Sequence, residues 1–501
     1  MARLLFFCFL LVLTACKSEI EVEQSTSDPL VLSKIENGKK PMNLVFILSD
    51  DHRFDFMGFT GKVPWLETPN MDKMAKEGAH FKNAFVTTAL CSPSRASILT
   101  GLYSHTHTII DNQAPDPGDL TFFPQYLQKA GYQTGFFGKW HMGDENDEPR
   151  PGFDHWESFK GQGVYFNPTL NINGERVAYN DSTYISELLT EHTLDWLDKR
   201  DTTKPFFTYL SHKAVHALFK PDRQDKNKYK DNELVYPPTY YTTVGEEYKK
   251  HRWPEWVKAQ RYSWHGVDHM YHGEHNFETF FRAYCETLES VDRSIGDVLS
   301  YLEENGLADN TLVIYMGDNG FSFGEHGLID KRHAYEESMK VPFLAWGPSI
   351  IPAATKVDAM VQNIDIAPTF LELAGLQSPA HFQGESIVPL FSANKPNDWR
   401  DRIFYEYYWE YTFPQTPTVH AIRTDQYKYI RYHGVWDTNE LYDIQNDPYE
   451  INNLIANSEH QEMIKQLRSE IDAWLEQTGG MSIPLKRMYH PKWDYKNKGL
   501  Y

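Results

Sequence analysis

Cys91, Pro93 and Arg95 alternate in the run Leu90-Cys91-Ser92-Pro93-Ser94-Arg95-Ala96-Ser97-Ile98-Leu99-Thr100-Gly101. Proline is tolerated in the first turn of a helix, where its missing N–H costs nothing, and glycine commonly ends one. The run therefore predicts a short helix that starts near Cys91 and stops at Gly101. A helix N-terminus favours negative charge, and Arg95, one turn on and on the same face, adds a fixed cation. A negative group is expected against position 91. A lone cysteine is ordinarily a small buried hydrophobe, so this reading rests on what else the chain brings there.

Four apolar runs end in loops that supply such partners. Residues 43–48 lead into Ser49-Asp50-Asp51-His52, and residues 133–137 into Gly138-Lys139-Trp140-His141. Residues 206–210 lead into Ser211-His212-Lys213-Ala214-Val215-His216, and residues 311–316 into Gly317-Asp318-Asn319-Gly320. Continuous apolar runs read as strands buried on both faces. Helical patterns lie between them at residues 70–77, 122–129, 186–199 and 279–304. This is α/β organisation, in which ligands bind beyond the carboxyl ends of the strands. Adjacent carboxylates repel unless a cation or hydrogen bonds offset them. Asp50-Asp51 and Asp318-Asn319, from strands that can be neighbours, offer a hard oxygen donor set suited to calcium or magnesium, and flexible enough for calcium.

Cys91-x-Pro93-x-Arg95 with Thr100-Gly101 resembles the signature of the type I sulfatases, members of the alkaline phosphatase superfamily. The resemblance implies a large central mixed β-sheet flanked by helices, with a smaller C-terminal antiparallel sheet plus helix. It implies that a formylglycine-maturation enzyme oxidises Cys91 to formylglycine, whose hydrated aldehyde is the nucleophile. It also assigns Asp50, Asp51, Asp318, Asn319 and modified Cys91 to one calcium site. Lys139-Trp140-His141 matches the family's lysine and histidine positions. Gly324-Glu325-His326-Gly327 followed by Lys331 matches its late lysine motif. Sulfate-ester cleavage needs charge stabilisation on the sulfuryl oxygens and a proton for the leaving alkoxide. Calcium, Arg95, Lys139 and Lys331 are the candidates for the first, and His141, His212 or Lys331 for the second. The resemblance implies that one aldehyde-hydrate oxygen attacks sulfur and releases the alcohol, and that deprotonation of the other, with His141 the candidate base, expels sulfate and restores the aldehyde. His105 and His107, then His216, Lys220 and His326, are candidates to touch a sugar.

The chain has 501 residues, and 49 basic against 69 acidic residues give a net charge of −20. That argues against nucleic acid as a partner but allows an anionic substrate in a locally basic pocket. Cys8, Cys16, Cys91 and Cys285 imply no disulfide framework. Arg3 and the apolar residues 4–13 read as a secretory signal too short to span a bilayer. Leu13-Thr14-Ala15-Cys16 resembles a bacterial lipobox. Residues 1–15 are thus expected as a lipoprotein signal peptide, and Cys16 as the lipidated start of a polar tether over 16–40. Glu19, Glu21 and Glu23 resemble a surface-export signal of some Gram-negative lipoproteins, and the expected location is the outer membrane, at the cell surface or the periplasmic face. Residues 41–395 read as the catalytic domain and 396–501 as a C-terminal subdomain, with strands near 421–424, 428–432 and 440–443 and a helix near 461–477. The insertion 221–277 carries Tyr240, Tyr241, Trp253, Trp256, Trp264 and His265. These could wall a sugar site or form the insertion's own small core.

The expected function is hydrolysis of sulfate esters on a sulfated polysaccharide. Ser94 to Tyr103 with His105 and His107 is similar to N-acetylglucosamine-6-sulfatases, whereas other bacterial lipoprotein sulfatases act on ulvan, glycosaminoglycans or mucin. Two alternatives stay open: a phosphonate monoester or phosphodiester hydrolase of the same superfamily, and a non-catalytic carbohydrate-binding lipoprotein.

Overall fold

The four apolar runs become four adjacent strands that all point the same way. The computed structural model describes residues 30–35, 41–143, 146–392, 395–434 and 438–484. Strand Asn43–Ser49 lies between Phe206–Ser211 and Thr311–Gly317 and is parallel to both. Gln133–Lys139 pairs in parallel with the far side of Phe206–Ser211. Apolar side chains fill both faces: Val45 and Ile47 join the cluster under the long helix Phe277–Glu304, while Phe46 meets Phe370 on the other side. Because the strands are parallel, residues 49–52, 139–141, 211–216 and 317–319 emerge along one edge.

Six further strands complete a ten-stranded mixed sheet. Its order is Thr355–Gln362, Ala79–Phe85, Phe343–Trp346, Thr311–Gly317, Asn43–Ser49, Phe206–Ser211, Gln133–Lys139, His155–Phe159, Thr169–Ile172, Glu175–Ala178. Helices Pro69–Glu77, Ile185–Asp198 and Phe277–Glu304 cover one face, and Cys91–Thr100, Phe123–Lys129 and Ile366–Leu373 cover the other. The expected helices appear with ends shifted by a residue or two. The edge hairpin Thr169–Ala178, whose second strand is fully exposed, had no apolar run to announce it.

A four-stranded antiparallel sheet, Arg402–Tyr407, Val419–Thr424, Tyr427–Tyr432 and Glu440–Asp443, carries helix Gln461–Thr478. Leu467, Ile471, Trp474 and Leu475 press onto it, and Trp474 stacks on Phe404 with centroids 4.8 Å apart. Arg402–Tyr407 is one strand more than the sequence suggested. Both sheets belong to one compact unit that begins at Leu32. Cys91 and Cys285 are free and buried. The signal peptide, Cys16 and most of the tether lie outside the described residues. Among the described residues, no helix is long and apolar enough to cross a membrane.

The insertion 221–277 does both things its aromatics allowed. Trp253 and Trp256 are buried beside helix Glu255–Arg261, and the Trp253 indole N–H donates to Glu450 O at 3.4 Å. Trp264, His265, Tyr271 and His272 instead line a cavity at the sheet edge.

Candidate active site

Helix Cys91–Thr100 starts on Cys91 and is closed by Gly101 in the left-handed region, φ 67°. Its whole length is buried, which puts the Cys91 side chain among the strand ends. The Cys91 thiol donates to Asp50 Oδ1 at 3.5 Å. Burial first, then the Asp50 charge, pushes this thiol up, despite the helix N-terminus and nearby lysines. An unmodified Cys91 therefore stays a neutral thiol, and desolvation outweighs the dipole that the sequence suggested would favour an anion.

Three carboxylates share the pocket. Oxygens of Asp50, Asp51 and Asp318 lie within 4.8 Å of one another, as do ligand atoms of Asp50, Cys91 and His216. The backbone ties them: Asp51 N–H donates to Asp318 Oδ1 at 3.0 Å, and Asp318 N–H donates to Ser49 O at 2.9 Å. Asn319 Nδ2 donates to Asp51 Oδ1 at 2.7 Å. Burial, with Asp50 and Asp318 alongside, pushes Asp51 up to about 8 even though Lys331 opposes it. Burial would also raise Asp50, yet the charges of Lys139 and Arg95 hold it well below the usual carboxylate range. Asp51 Oδ2 and Asn319 Oδ1 are buried without a hydrogen-bond partner. Orphaned oxygens in a fully buried cluster of carboxylates fit a hard cation, and the donor set is oxygen-rich as calcium prefers.

Lysines neutralise the cluster from two sides. Lys139 Nζ bonds Asp50 Oδ2 and, at 2.5 Å, Gln162 Oε1; Lys331 Nζ bonds Asp51 Oδ1. Lys139 can sit this close because Gly138 (φ 114°) presses on the next strand: a Cβ there would meet Ser211 O at 1.9 Å. Arg95 differs from expectation. Its Nε donates to Asp318 Oδ2 at 2.9 Å, and its Nη1 to Lys139 O at 2.8 Å and Ser211 Oγ at 2.6 Å. It is 1% exposed and does not line the cavity. Its guanidinium braces three strand ends.

The cavity beyond this cluster has a volume of about 390 Å³, within the range of small-ligand sites. Asp51, His141, His216 and Lys331 line its inner end. His216 takes the place expected of His212. The His216 Nε2 is 4.0 Å from Asp51 Oδ2, while its Nδ1 donates to the Ala217 carbonyl at 2.5 Å. A carbonyl only accepts, so Nδ1 carries the proton and Nε2 faces the site with a lone pair. His212 points the other way. It is fully buried, with Nε2 at 3.0 Å from Ser294 Oγ on the long helix, and does not reach the cavity.

Four other expected sugar contacts are also absent from this wall. His105 is held by Glu406 Oε2 at 2.7 Å and Thr478 Oγ1 at 2.9 Å, joining helix Ser104–His107 to the C-terminal sheet and helix. His107 is buried at 3.0 Å from Ser97 Oγ. Lys220 is exposed outside the cavity. His326 is buried under Tyr335, ring centroids 4.2 Å apart.

The outer wall joins Trp264 and His265, which the insertion offered, to Asp330, Arg332, Glu410 and Phe413, which the sequence did not single out. Arg332 Nε donates to Glu410 Oε1 at 2.9 Å and its guanidinium also pairs with Asp330, which His265 Nε2 meets at 3.0 Å. Trp264 and Phe413 stack at 5.2 Å, and Arg332 sits 3.6 Å over the Phe413 ring. Asp330 and Arg332 flank Lys331 and could have been suspected from that adjacency. Gln162, between Gly161 and Gly163, and Glu410, remote in sequence, carried no comparable signal.

The chain matches the sulfatase family profile over residues 42–376, and the profile "N-sulphoglucosamine sulphohydrolase, C-terminal" over residues 324–477. It is 32% identical over 490 residues to an N-acetylglucosamine-6-O-sulfatase of Bacteroides thetaiotaomicron, covering 86% of each chain. An ulvan-active sulfatase of Formosa agariphila is 27% identical over 502 residues, covering 97% of this chain and 89% of that one. A solved structure, in complex with its substrate D-glucosamine-2-N,6-O-disulfate, superposes with TM-score 0.78 at 30% identity, over 90% of this chain and 100% of that one. A buried cysteine at a helix N-terminus faces clustered carboxylates and lysines at the inner end of a sugar-sized cavity, and on these matches the chain belongs to the sulfatase family.

Proposed function

We propose that this sulfatase removes O-sulfate from a hexosamine-containing sulfated glycan through formylglycine at position 91, with calcium bound by Asp50, Asp51, Asp318 and Asn319. The observation that carries this reading is the placement of Cys91 against that carboxylate cluster, whose Asp51 lines the cavity. The relatives that act on N-acetylglucosamine 6-sulfate and the neighbour bound to a 6-O-sulfated glucosamine favour that sugar over ulvan, whose relative is less similar. Formylglycine supplies a hydrated aldehyde as nucleophile, and the cation adds positive charge beside it. Lys139 and Lys331 bring further positive charge to the sulfuryl oxygens. His216 Nε2 is placed to hold or pass the proton of the leaving alkoxide, and His141, across the cavity, to serve as the base. Arg95 is a positioning residue that keeps Asp318 and the Lys139 strand end in place. Trp264 and Phe413 give the sugar ring an apolar face.

The test is inorganic sulfate release by matured enzyme from 6-sulfated N-acetylglucosamine and from heparan, chondroitin and ulvan fragments, with Cys91→Ala as control. Release from the hexosamine substrates that vanishes in the control is expected. Phosphate release exceeding sulfate release from matched aryl esters would instead favour a phosphonate or phosphodiester hydrolase. No release of either by protein carrying formylglycine would leave the binding lipoprotein.

Calcium binding is expected to appear as stability as well as activity. Chelated protein should melt lower, and calcium at roughly a hundred times its dissociation constant should restore about 2.7 kcal/mol. A melting midpoint indifferent to chelation and calcium would remove the metal from the scheme. The anchor is proposed on Cys16 alone: Cys16→Ala should move the protein from the membrane fraction to the soluble one, and unchanged fractionation would refute it.

A further inference from the structure

A second cavity, about 720 Å³, lies between helix Glu255–Arg261 and the C-terminal sheet. Its floor is Trp256 and Tyr432, packed edge to face at 5.8 Å, and its rim carries Trp409, 41% exposed. Trp409 is held in place: its indole N–H donates to Pro414 O at 3.2 Å and its backbone N–H to Thr418 Oγ1 at 2.8 Å. An exposed indole fixed by its own hydrogen bond, on a backbone held by a second, presents a flat face at little entropic cost. Gln415, Thr418 and His433 add hydrogen-bonding groups around it. No lysine or arginine is among the described residues that line this cleft.

One loop joins this cleft to the active site. Glu410, Thr412 and Phe413 line the catalytic cavity, and Trp409, Pro414, Gln415 and Pro417 line the second one. The two cavities thus share the loop 409–417, and a glycan chain whose sulfated sugar occupies the first can reach the second by crossing that loop. Aromatic faces with a polar rim suit a pyranose ring, which offers an apolar C–H face and a hydroxyl edge. Without a cation, the cleft has nothing to offset a sulfate. From this we infer that the Trp409 cleft binds an unsulfated pyranose residue of the same glycan chain whose sulfated residue occupies the catalytic cavity. The inference rests on the proposed glycan sulfatase activity.

The decisive measurement is calorimetric titration of full-length Cys91→Ala protein with unsulfated N-acetylglucosamine and N-acetyllactosamine oligomers of roughly three to six units, a span suited to a cleft of this class. Saturable binding is expected, weakened about fivefold to tenfold by adding Trp409→Ala and largely kept by Trp409→Phe. On an otherwise unaltered enzyme, Trp409→Ala should leave KM for 6-sulfated N-acetylglucosamine unchanged and raise it for longer substrates. No binding of either oligomer, or equal binding with and without the Trp409 side chain, would overturn the inference. So would an equal rise in KM for the monosaccharide, which would place Trp409 in the catalytic cavity. Failure of the sulfatase reading would look different, as no sulfate release by the enzyme with Trp409 intact.

Discussion

Replacing Cys91 by alanine should lower sulfate release by at least roughly 10⁴-fold while leaving the fold intact, because removing a covalent nucleophile leaves only binding and electrostatics. The thiol is buried and hydrogen-bonded to Asp50, and both effects keep it protonated. Unmodified protein, made without a maturation enzyme, should thus be as inactive as Cys91→Ala. Sulfate release by ion chromatography, a circular dichroism melt and the mass of the peptide carrying residue 91 would check this together. Full activity with residue 91 still a thiol by mass would refute the formylglycine reading. A collapsed melt for Cys91→Ala would point to a structural role for the side chain instead.

The second large effect is expected at His216, and it distinguishes two histidines four residues apart. His216→Ala should cut kcat by roughly 10²- to 10⁴-fold, the usual worth of a general acid or base, with little change in the thermal midpoint. Its Nε2 faces Asp51 across the cavity, and the Tyr165 hydroxyl donating to His216 O at 2.6 Å fixes its backbone. His212→Ala should do the reverse. It removes a fully buried ring that meets Ser294 Oγ, so it should destabilise by about 1–3 kcal/mol and spare kcat in the protein that remains folded. Comparing kcat and urea midpoints for both variants settles the assignment: an inactive but stable His212→Ala would restore the histidine the sequence suggested.

That exchange shows where sequence reading reached its limit. The loop 211–216 was legible as functional because it follows a continuous apolar strand, and its strand does end beside Asp50, Lys139 and Asp318. Which of its histidines faces the site depends on how the backbone turns after Ser211, and that turn is set by tertiary hydrogen bonds, Val215 N–H to Asp50 O and His212 N–H to Leu48 O. Arg95 makes the same point. Spacing placed it on the correct helix face, but only the neighbouring strands revealed that its Nε and Nη1 are taken by Asp318, Lys139 O and Ser211 Oγ.

The sequence by itself determined the architecture and the chemistry of the inner site. Apolar runs of strand length specified a buried parallel core, and parallel strands must bring their carboxyl ends to one edge. Cys91, the three carboxylates Asp50, Asp51 and Asp318, and the two lysines therefore met at that edge. The tertiary structure alone decided the outer wall. Trp264 was one of the two-way candidates in the insertion, but Asp330, Arg332, Glu410 and Phe413 come from distant segments whose convergence with it no local pattern records. Their contacts follow from how the insertion and the C-terminal sheet pack over the sheet edge, and long-range packing of this kind leaves no periodicity in a sequence.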